Sequence, residues 1–196
     1  MERMGTKFLE ELRSKTHSIH RLIEQTETSK AIISPGVTLV QYEQYLQKVL
    51  CLHRAVEETI HPLLSTYIPD LAERQKSEKI LSDLKELHFQ PKNYPISFLD
   101  AEFIPSIGFC FGILYVVEGS TLGGMYILKN MIASVGKDNQ IPTKFLTAYG
   151  QHTGSKWKMF LETLNEYVNS RNADEAEEVI KGATYGFNQV YKLFKA

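Results

Sequence analysis

Apolar residues recur at helical spacing along most of the chain. Phe8, Leu12, Ile19 and Ile23 share one side of a first helix over about residues 5–27. Ser34-Pro35-Gly36 breaks the chain. Thr38 then caps a second helix, with Gln41 as its capping-box partner. That helix carries Tyr42, Tyr45, Leu46, Val49, Leu50, Leu52 and Val56 and runs to about Leu64. Tyr67-Ile68-Pro69 opens a more polar third helix over about 70–87, and Pro91, Pro95 and Pro105 mark residues 88–105 as a long loop. A fourth helix covers about 105–133. Pro142 opens a fifth, about 142–170, as a first-turn proline can. A last helix covers about 173–194. No segment alternates as a strand would, and no internal repeat is present. The pattern predicts an all-α protein, with residues 1–196 forming one bundle-like domain of six or so helices.

Composition narrows the class. The chain has 196 residues and is 43% hydrophobic, enough for a core without disulfides or a structural metal. Lys+Arg total 22 against 23 Asp+Glu, a balance that excludes a nucleic-acid binder built on a basic stripe. Cys51 and Cys110 are too few and too far apart for a disulfide framework and read as buried thiols in a reducing compartment. The segment MERMGTKFLEELRSK lacks an apolar signal core, and Phe109 to Val117 is too short to span a bilayer. The expected location is cytoplasmic, with no membrane anchor.

Ile104 to Met131 is apolar but contains Gly108, Gly112, Gly119, Gly123 and Gly124. A glycine inside a helix costs roughly 1 kcal/mol relative to alanine. Five of them therefore need an offsetting gain. One source is close helix packing, since Gly108/Gly112 and Gly119/Gly123 are four apart and share a face. The other is a ligand lying against bare backbone. The adjacent pair Gly123-Gly124 suggests a kink.

His20 is the candidate metal ligand, with Thr16 and Glu24 one turn to either side. A carboxylate at that spacing can take the second ring N–H and fix the tautomer. His17 points about 90° away around the helix. A di-iron carboxylate bundle would need two Glu-x-x-His pairs, and only Glu58 to His61 is found. No GxGxxG fingerprint for a nucleotide is present, because the glycines at 119, 123 and 124 have the wrong spacing.

The segments SKTHSIHRLIE and LYVVEGSTLGGMYI, with the later VIKGATYGF, resemble haem oxygenase, the glycine-rich segment in its bacterial form. The resemblance spans nearly the whole chain. It implies haem held between the first helix and a kinked glycine-rich helix. No CxxCH motif occurs, so that haem is held non-covalently. Haem would be both cofactor and substrate, cut oxidatively to biliverdin, carbon monoxide and ferrous iron. Dioxygen and a separate electron donor of ferredoxin, flavodoxin or flavin reductase type would be required. His20 would be the axial iron ligand and Glu24 its partner. Gly119 and Gly123 would lie over the distal haem face, with Gly124 helping the kink. Phe187 would pack near the haem, and Arg13 and Lys158 would meet its propionates, with Lys7, Lys129 and Lys156 as alternatives.

Ser120 stands where mammalian members carry an Asp that orders distal waters, which implies an altered proton-delivery network. His53 falls near a tyrosine of that network and reads either as a replacement for it or as a partly buried histidine. Glu162 stands where a propionate-binding arginine would be expected, which leaves the cleavage position open. Two other readings remain beside the enzyme. One is a haem carrier or sensor on the same fold, with His53 as the available sixth ligand. The other is a thiamin-degrading enzyme, which needs an activated cysteine that neither Cys51 nor Cys110 supplies in sequence.

Overall fold

The computed structural model describes residues 2–92, 105–136 and 141–196, with side chains from Lys7 onward. Nine helices occur among these residues: α1 (Glu2–Glu24), α2 (Glu27–Ile33), α3 (Leu39–Thr59), α4 (His61–Leu64), α5 (Ser77–Glu86), α6 (Ile107–Ser120), α7 (Gly124–Val135), α8 (Thr153–Asn169) and α9 (Ala173–Lys195). Short 3-10 turns occupy Leu71–Arg74, Thr121–Gly123 and Gly150–His152, and the described residues contain no strand. The all-α class expected from the pattern is what forms.

The fold is organised around α6. Every residue from Gly108 to Glu118 is buried, so this helix is apolar all round and sits in the centre. It packs most extensively on α9, which in turn carries α1 along another side. The α6–α9 approach is too close for side chains at two points. A Cβ on Gly112 would run into the carbonyl of Val179 and the backbone nitrogen of Ala183. One on Gly182 would run into the carbonyl of Phe109. Backbone therefore lies on backbone here, and Gly112 is explained by helix packing.

The glycine-rich helix is interrupted as expected. Its α-helical bonding gives way to the 3-10 turn Thr121–Gly123 before α7 begins. Neither Gly123 (φ −77°) nor Gly124 (φ −57°) adopts a left-handed conformation. Gly124 is needed for space instead, since its Cβ would lie 2.9 Å from the Leu146 carbonyl oxygen. Residues 107–135 together are long and apolar enough to cross a membrane, their most apolar 18-residue window having a mean hydropathy of 1.4, and are longer than the apolar run in the sequence suggests. However, 67% of that window is buried inside the protein, as in a core helix.

Other expected boundaries shift for identifiable reasons. The Thr38 capping box forms, with Gln41 N–H donating to the Thr38 hydroxyl at 3.2 Å and Thr38 N–H to Gln41 Oε1 at 2.9 Å. The second helix breaks at Ile60, and Pro62 takes up a first-turn position in the short α4. The third becomes a 3-10 turn followed by α5. An extra short helix, α2, is capped by Thr26, whose hydroxyl accepts from Ser29 N–H at 3.2 Å. Pro142 opens no helix. Its carbonyl accepts the Tyr42 hydroxyl at 3.0 Å, and the Asp83 carboxylate accepts the N–H groups of Lys144 and Phe145 at 3.0 and 2.9 Å. These bonds hold 144–149 as turns, and α8 starts at Thr153. Of the expected loop, residues 93–104 lie outside the described residues.

Candidate functional site

A cavity of about 400 Å³ opens among α1, α3, α6, α8 and α9. From α1 it receives Arg13, His20 and Ile23, and from α9 Phe187, Val190 and Phe194. Helix α3 contributes Tyr45, Val49, Leu52 and His53. The remaining wall is Tyr115, Val116, Gly119 and Ser120 of α6, with Leu122 and Trp157. The lining is mostly apolar with a few polar groups, as expected of a small-molecule site.

His20 has a side chain 55% exposed, so it lies where the cavity meets solvent. Its ring is fixed from two directions. Phe187 meets it edge-on, with centroids 5.7 Å apart and planes at 84°. Glu24 places Oε1 3.5 Å from Nδ1. With Nδ1–H directed at that carboxylate, Nε2 keeps the lone pair a metal requires. Thr16 takes no part in this. Its hydroxyl donates to the Leu12 carbonyl of its own helix at 2.8 Å.

Gly119 forms a bare stretch of the α6 wall. A Cβ there would touch the Trp157 ring at 3.4 Å, an ordinary contact, so the fold does not demand a glycine at this point. Ser120 also lines the cavity, and its hydroxyl donates to the Val117 carbonyl at 2.7 Å. Gly123 and Gly124 do not line the cavity, and nothing lies within 4 Å of where a Gly123 Cβ would stand.

Arg13 is the one lining residue that is charged at neutral pH irrespective of its surroundings, and no carboxylate lines the cavity among the described residues. Burial pushes the Tyr115 phenol beside it up from its ordinary range, with the Arg13 charge opposing the shift. His53 is buried, and burial, with help from the Lys76 and His61 charges, holds its imidazole well below the usual histidine range. It stacks edge-on with Phe145, centroids 5.4 Å apart, and is neutral at pH 7. Lys158 does not reach the cavity. It pairs with Glu162 at 3.6 Å on the solvent face of α8. Lys156 is likewise committed, to Asp70 and Glu73 at 2.9 and 2.6 Å.

Sequence reasoning missed two features. Trp157, the only tryptophan, supports the glycine wall. More important, Glu118 next to that wall is 1% exposed and holds a buried ion cluster. It accepts from Arg74 at 2.6 Å, Lys76 at 2.9 Å and the Tyr149 hydroxyl at 3.0 Å. Arg74 also binds Asp70 at 2.9 Å. The available signal was an acidic residue inside the otherwise apolar run FCFGILYVVEGS. Burial lowers the Lys76 ammonium from its ordinary value, and it raises the Tyr149 phenol.

Cys110 is fully buried and its thiol is pushed up to about 12, which disfavours a nucleophilic thiolate. Among the described residues no group of three His, Cys, Asp or Glu side chains is placed to hold a metal ion.

The sequence profile of the family described as heme oxygenase matches residues 6–101 and 106–196. No curated protein sequence matches the chain. Among solved structures, the NO- and CO-bound heme oxygenase from Neisseria meningitidis superposes with a TM-score of 0.74 at 23% identity, covering 96% of this chain and 90% of that one. Heme oxygenase from Leptospira interrogans gives 0.71 at 14% identity, covering 94% and 96%. Heme oxygenase-1 from the cyanobacterium Synechocystis, in complex with heme, gives 0.66 at 17% identity, covering 95% and 90%.

Proposed function

The chain belongs to the haem oxygenase family, and from that premise we propose that it binds haem in the cavity beside His20 and cuts it to biliverdin, carbon monoxide and ferrous iron. The observation that carries the reading is that His20 and the bare Gly119 wall line one largely apolar cavity that holds a cation and, among the described residues, no carboxylate. Such a lining fits haem: a flat apolar ring, a metal that seeks an imidazole nitrogen, and two carboxylates that seek a cation.

In this reading Nε2 of His20 would hold the haem iron, with Glu24 and Phe187 keeping the imidazole in place. Arg13 meets a propionate through a charge-assisted hydrogen bond. Lys158, Lys7 and Lys129 lie outside the cavity lining, which leaves Arg13 as the cation of the lining. Bound haem supplies the iron at which dioxygen is reduced and the ring carbon that is attacked. Gly119 keeps the distal wall close and uncharged. Ser120 and neutral His53 leave proton delivery to hydroxyls and ordered water instead of a strong acid. Gly123 and Gly124 act through the shape of the turn. Electrons come from a separate protein of ferredoxin, flavodoxin or flavin reductase type, and the enzyme works in the cytoplasm as a single domain spanning residues 1–196.

The test is to add haem to the purified protein with ferredoxin and its reductase, or with ascorbate, and to identify the product chromatographically. A biliverdin isomer is expected; recovery of unaltered haem overturns the reading. The presence of His53 in the same cavity favours one second reading, a haem carrier with two histidine ligands. A bis-histidine ferric spectrum, unchanged by reductant and air, would support the carrier.

A further inference from the structure

Aromatic rings run in contact from the cavity to a second pocket. Tyr115 and Trp157 line the cavity, their centroids 5.3 Å apart. Trp157 stacks on Phe160 at 5.7 Å and 22°. Phe160 meets Phe111 at 6.4 Å, and Phe111 meets Tyr167 at 4.7 Å. Tyr67 adjoins the far end, 6.1 Å from Phe111 and 5.6 Å from Tyr167. There Tyr67, Phe111 and Tyr167 line an open pocket of about 300 Å³ together with Arg171. Trp157 and Tyr167 both lie on α8, separated by about 15 Å along its axis at 1.5 Å per residue.

Core packing accounts for rings that touch. It does not account for what stands at the two ends. Indole and phenol are readily oxidised and phenylalanine is not, so Phe160 and Phe111 bridge an oxidisable ring at the cavity to one at the second pocket. The Tyr167 hydroxyl donates to Glu175 Oε2 at 2.6 Å, and the Arg171 guanidinium stands 5.5 Å over its ring. The cation opposes positive charge on that ring, while the carboxylate is placed to take its proton. Tyr167 can therefore give up an electron and a proton together. Burial and the Glu175 hydrogen bond hold its phenol above the ordinary value, so the proton stays until the electron leaves. Tyr115 lacks such an acceptor, since no carboxylate lines the cavity among the described residues.

We propose that Trp157, Phe160, Phe111 and Tyr167 form an electron path that carries oxidising equivalents out of the cavity to Tyr167, where a small anionic reductant quenches them. Its purpose rests on the haem-cleaving reading, but the path itself does not. Dioxygen and electrons supplied out of step give hydrogen peroxide, and this is the oxidant. Each peroxide takes up two electrons and two protons and leaves as two waters. Each electron comes from the Trp157 indole. Tyr167 refills the indole and passes its phenolic proton to Glu175. A reductant of the ene-diol class, attracted by Arg171, returns an electron to Tyr167, and Glu175 returns the proton. Two such turns convert the ene-diol to its diketone. Solvent supplies the protons that peroxide consumes and takes up those the ene-diol releases.

The test has two arms. The first uses the haem-free protein and the azide radical, a one-electron oxidant that prefers indole. The charge then starts on Trp157, the only tryptophan. The tryptophan radical should convert to a tyrosyl radical at a rate independent of protein concentration and slower in deuterated solvent. Tyr167→Phe should abolish the conversion, and Tyr115→Phe should leave it intact. Persistence in the first variant, or loss in the second, overturns the path. Glu175→Gln keeps every ring in place and should slow the conversion; an unchanged rate overturns the role of the carboxylate. In the second arm the ferric haem complex is treated with peroxide and frozen. Electron paramagnetic resonance should show a tyrosyl radical that is missing in Tyr167→Phe. Ascorbate should remove that radical more slowly in Arg171→Leu than in the wild type, and equal rates overturn the quenching step. A wild-type protein that takes up no haem would refute the functional reading, while the azide-radical arm alone judges the path.

Discussion

The imidazole of His20 stands edge-on to the Phe187 ring, 5.7 Å between centroids and 84° between planes. This contact ties the first helix to the last at the mouth of the cavity. Phe187 is buried while His20 is half exposed, so the aromatic acts as a fixed stop for a ring that would otherwise turn freely. Phe187→Ala should loosen that stop and open a void. A loss of about 3–5 kcal/mol is ordinary for a buried phenylalanine, and denaturant titration measures it. Phe187→Leu, which keeps most of the volume, should recover most of the stability but show weaker haem affinity. Equal affinity in the leucine variant would remove the orienting role.

The glycines should divide into two classes. Gly112→Ala forces a methyl into the backbone of α9, where nothing flexible can yield. It should cost at least about 1–3 kcal/mol, the usual range for overpacking, and lower the melting temperature whether or not haem is present. Gly119→Ala meets only the edge of Trp157 at 3.4 Å. Its melting temperature should stay near wild type while haem turnover falls, because the methyl stands on the cavity wall. Thermal melts alongside turnover assays separate the two, and an equally destabilised Gly119→Ala would contradict the assignment.

Glu118 neutralises two buried cations at once. Glu118→Leu leaves Lys76 without its carboxylate and Arg74 with Asp70 alone, and removal of one partner from a buried pair costs about 3–5 kcal/mol. Equilibrium denaturation should register a loss of that size. A change under about 1 kcal/mol, the range of exposed pairs, would show that water reaches the cluster.

His53 and His61 both have imidazoles held below the ordinary histidine value in the folded protein, mainly by burial. The unfolded chain therefore binds more protons than the folded one once the pH falls below about 6.5. Stability should be flat for these groups above that pH and fall as the solution is acidified towards their folded values. Each contributes a slope of up to about 1.4 kcal/mol per pH unit. His53→Gln should flatten the acid limb relative to wild type in denaturation series between about pH 7 and 5. An identical limb in the variant would mean that His53 is protonated in the fold.

Much of this architecture was legible in the sequence. The Thr38–Gln41 box announced the start of α3 because a cap is a local event that needs only four residues. The glycine-rich segment announced both its interruption and its unusual wall. What it did not reveal was which glycine does which task. Gly112 serves the α9 contact and Gly119 the cavity, and that division depends on partners, Val179 and Trp157, far away in sequence. Pro142 misled for a related reason. A proline suits a first helical turn, but the long-range bonds from Tyr42 and Asp83 captured its neighbours as turns. The Glu118 cluster was hidden because its members, at 70, 74, 76, 118 and 149, meet only in the folded chain. Of the propionate candidates, Arg13 reaches the cavity and Lys158 does not, since Glu162 one turn away captures it.

The most direct test of the account is the optical spectrum of the ferric haem complex of the wild-type protein beside that of His20→Ala. The side chain is half exposed, so the variant should fold normally. The account predicts a histidine-ligated spectrum that is lost in His20→Ala together with ring opening, and that returns when imidazole is added. A variant that keeps the wild-type spectrum, or a wild-type protein that takes up no haem, would contradict it.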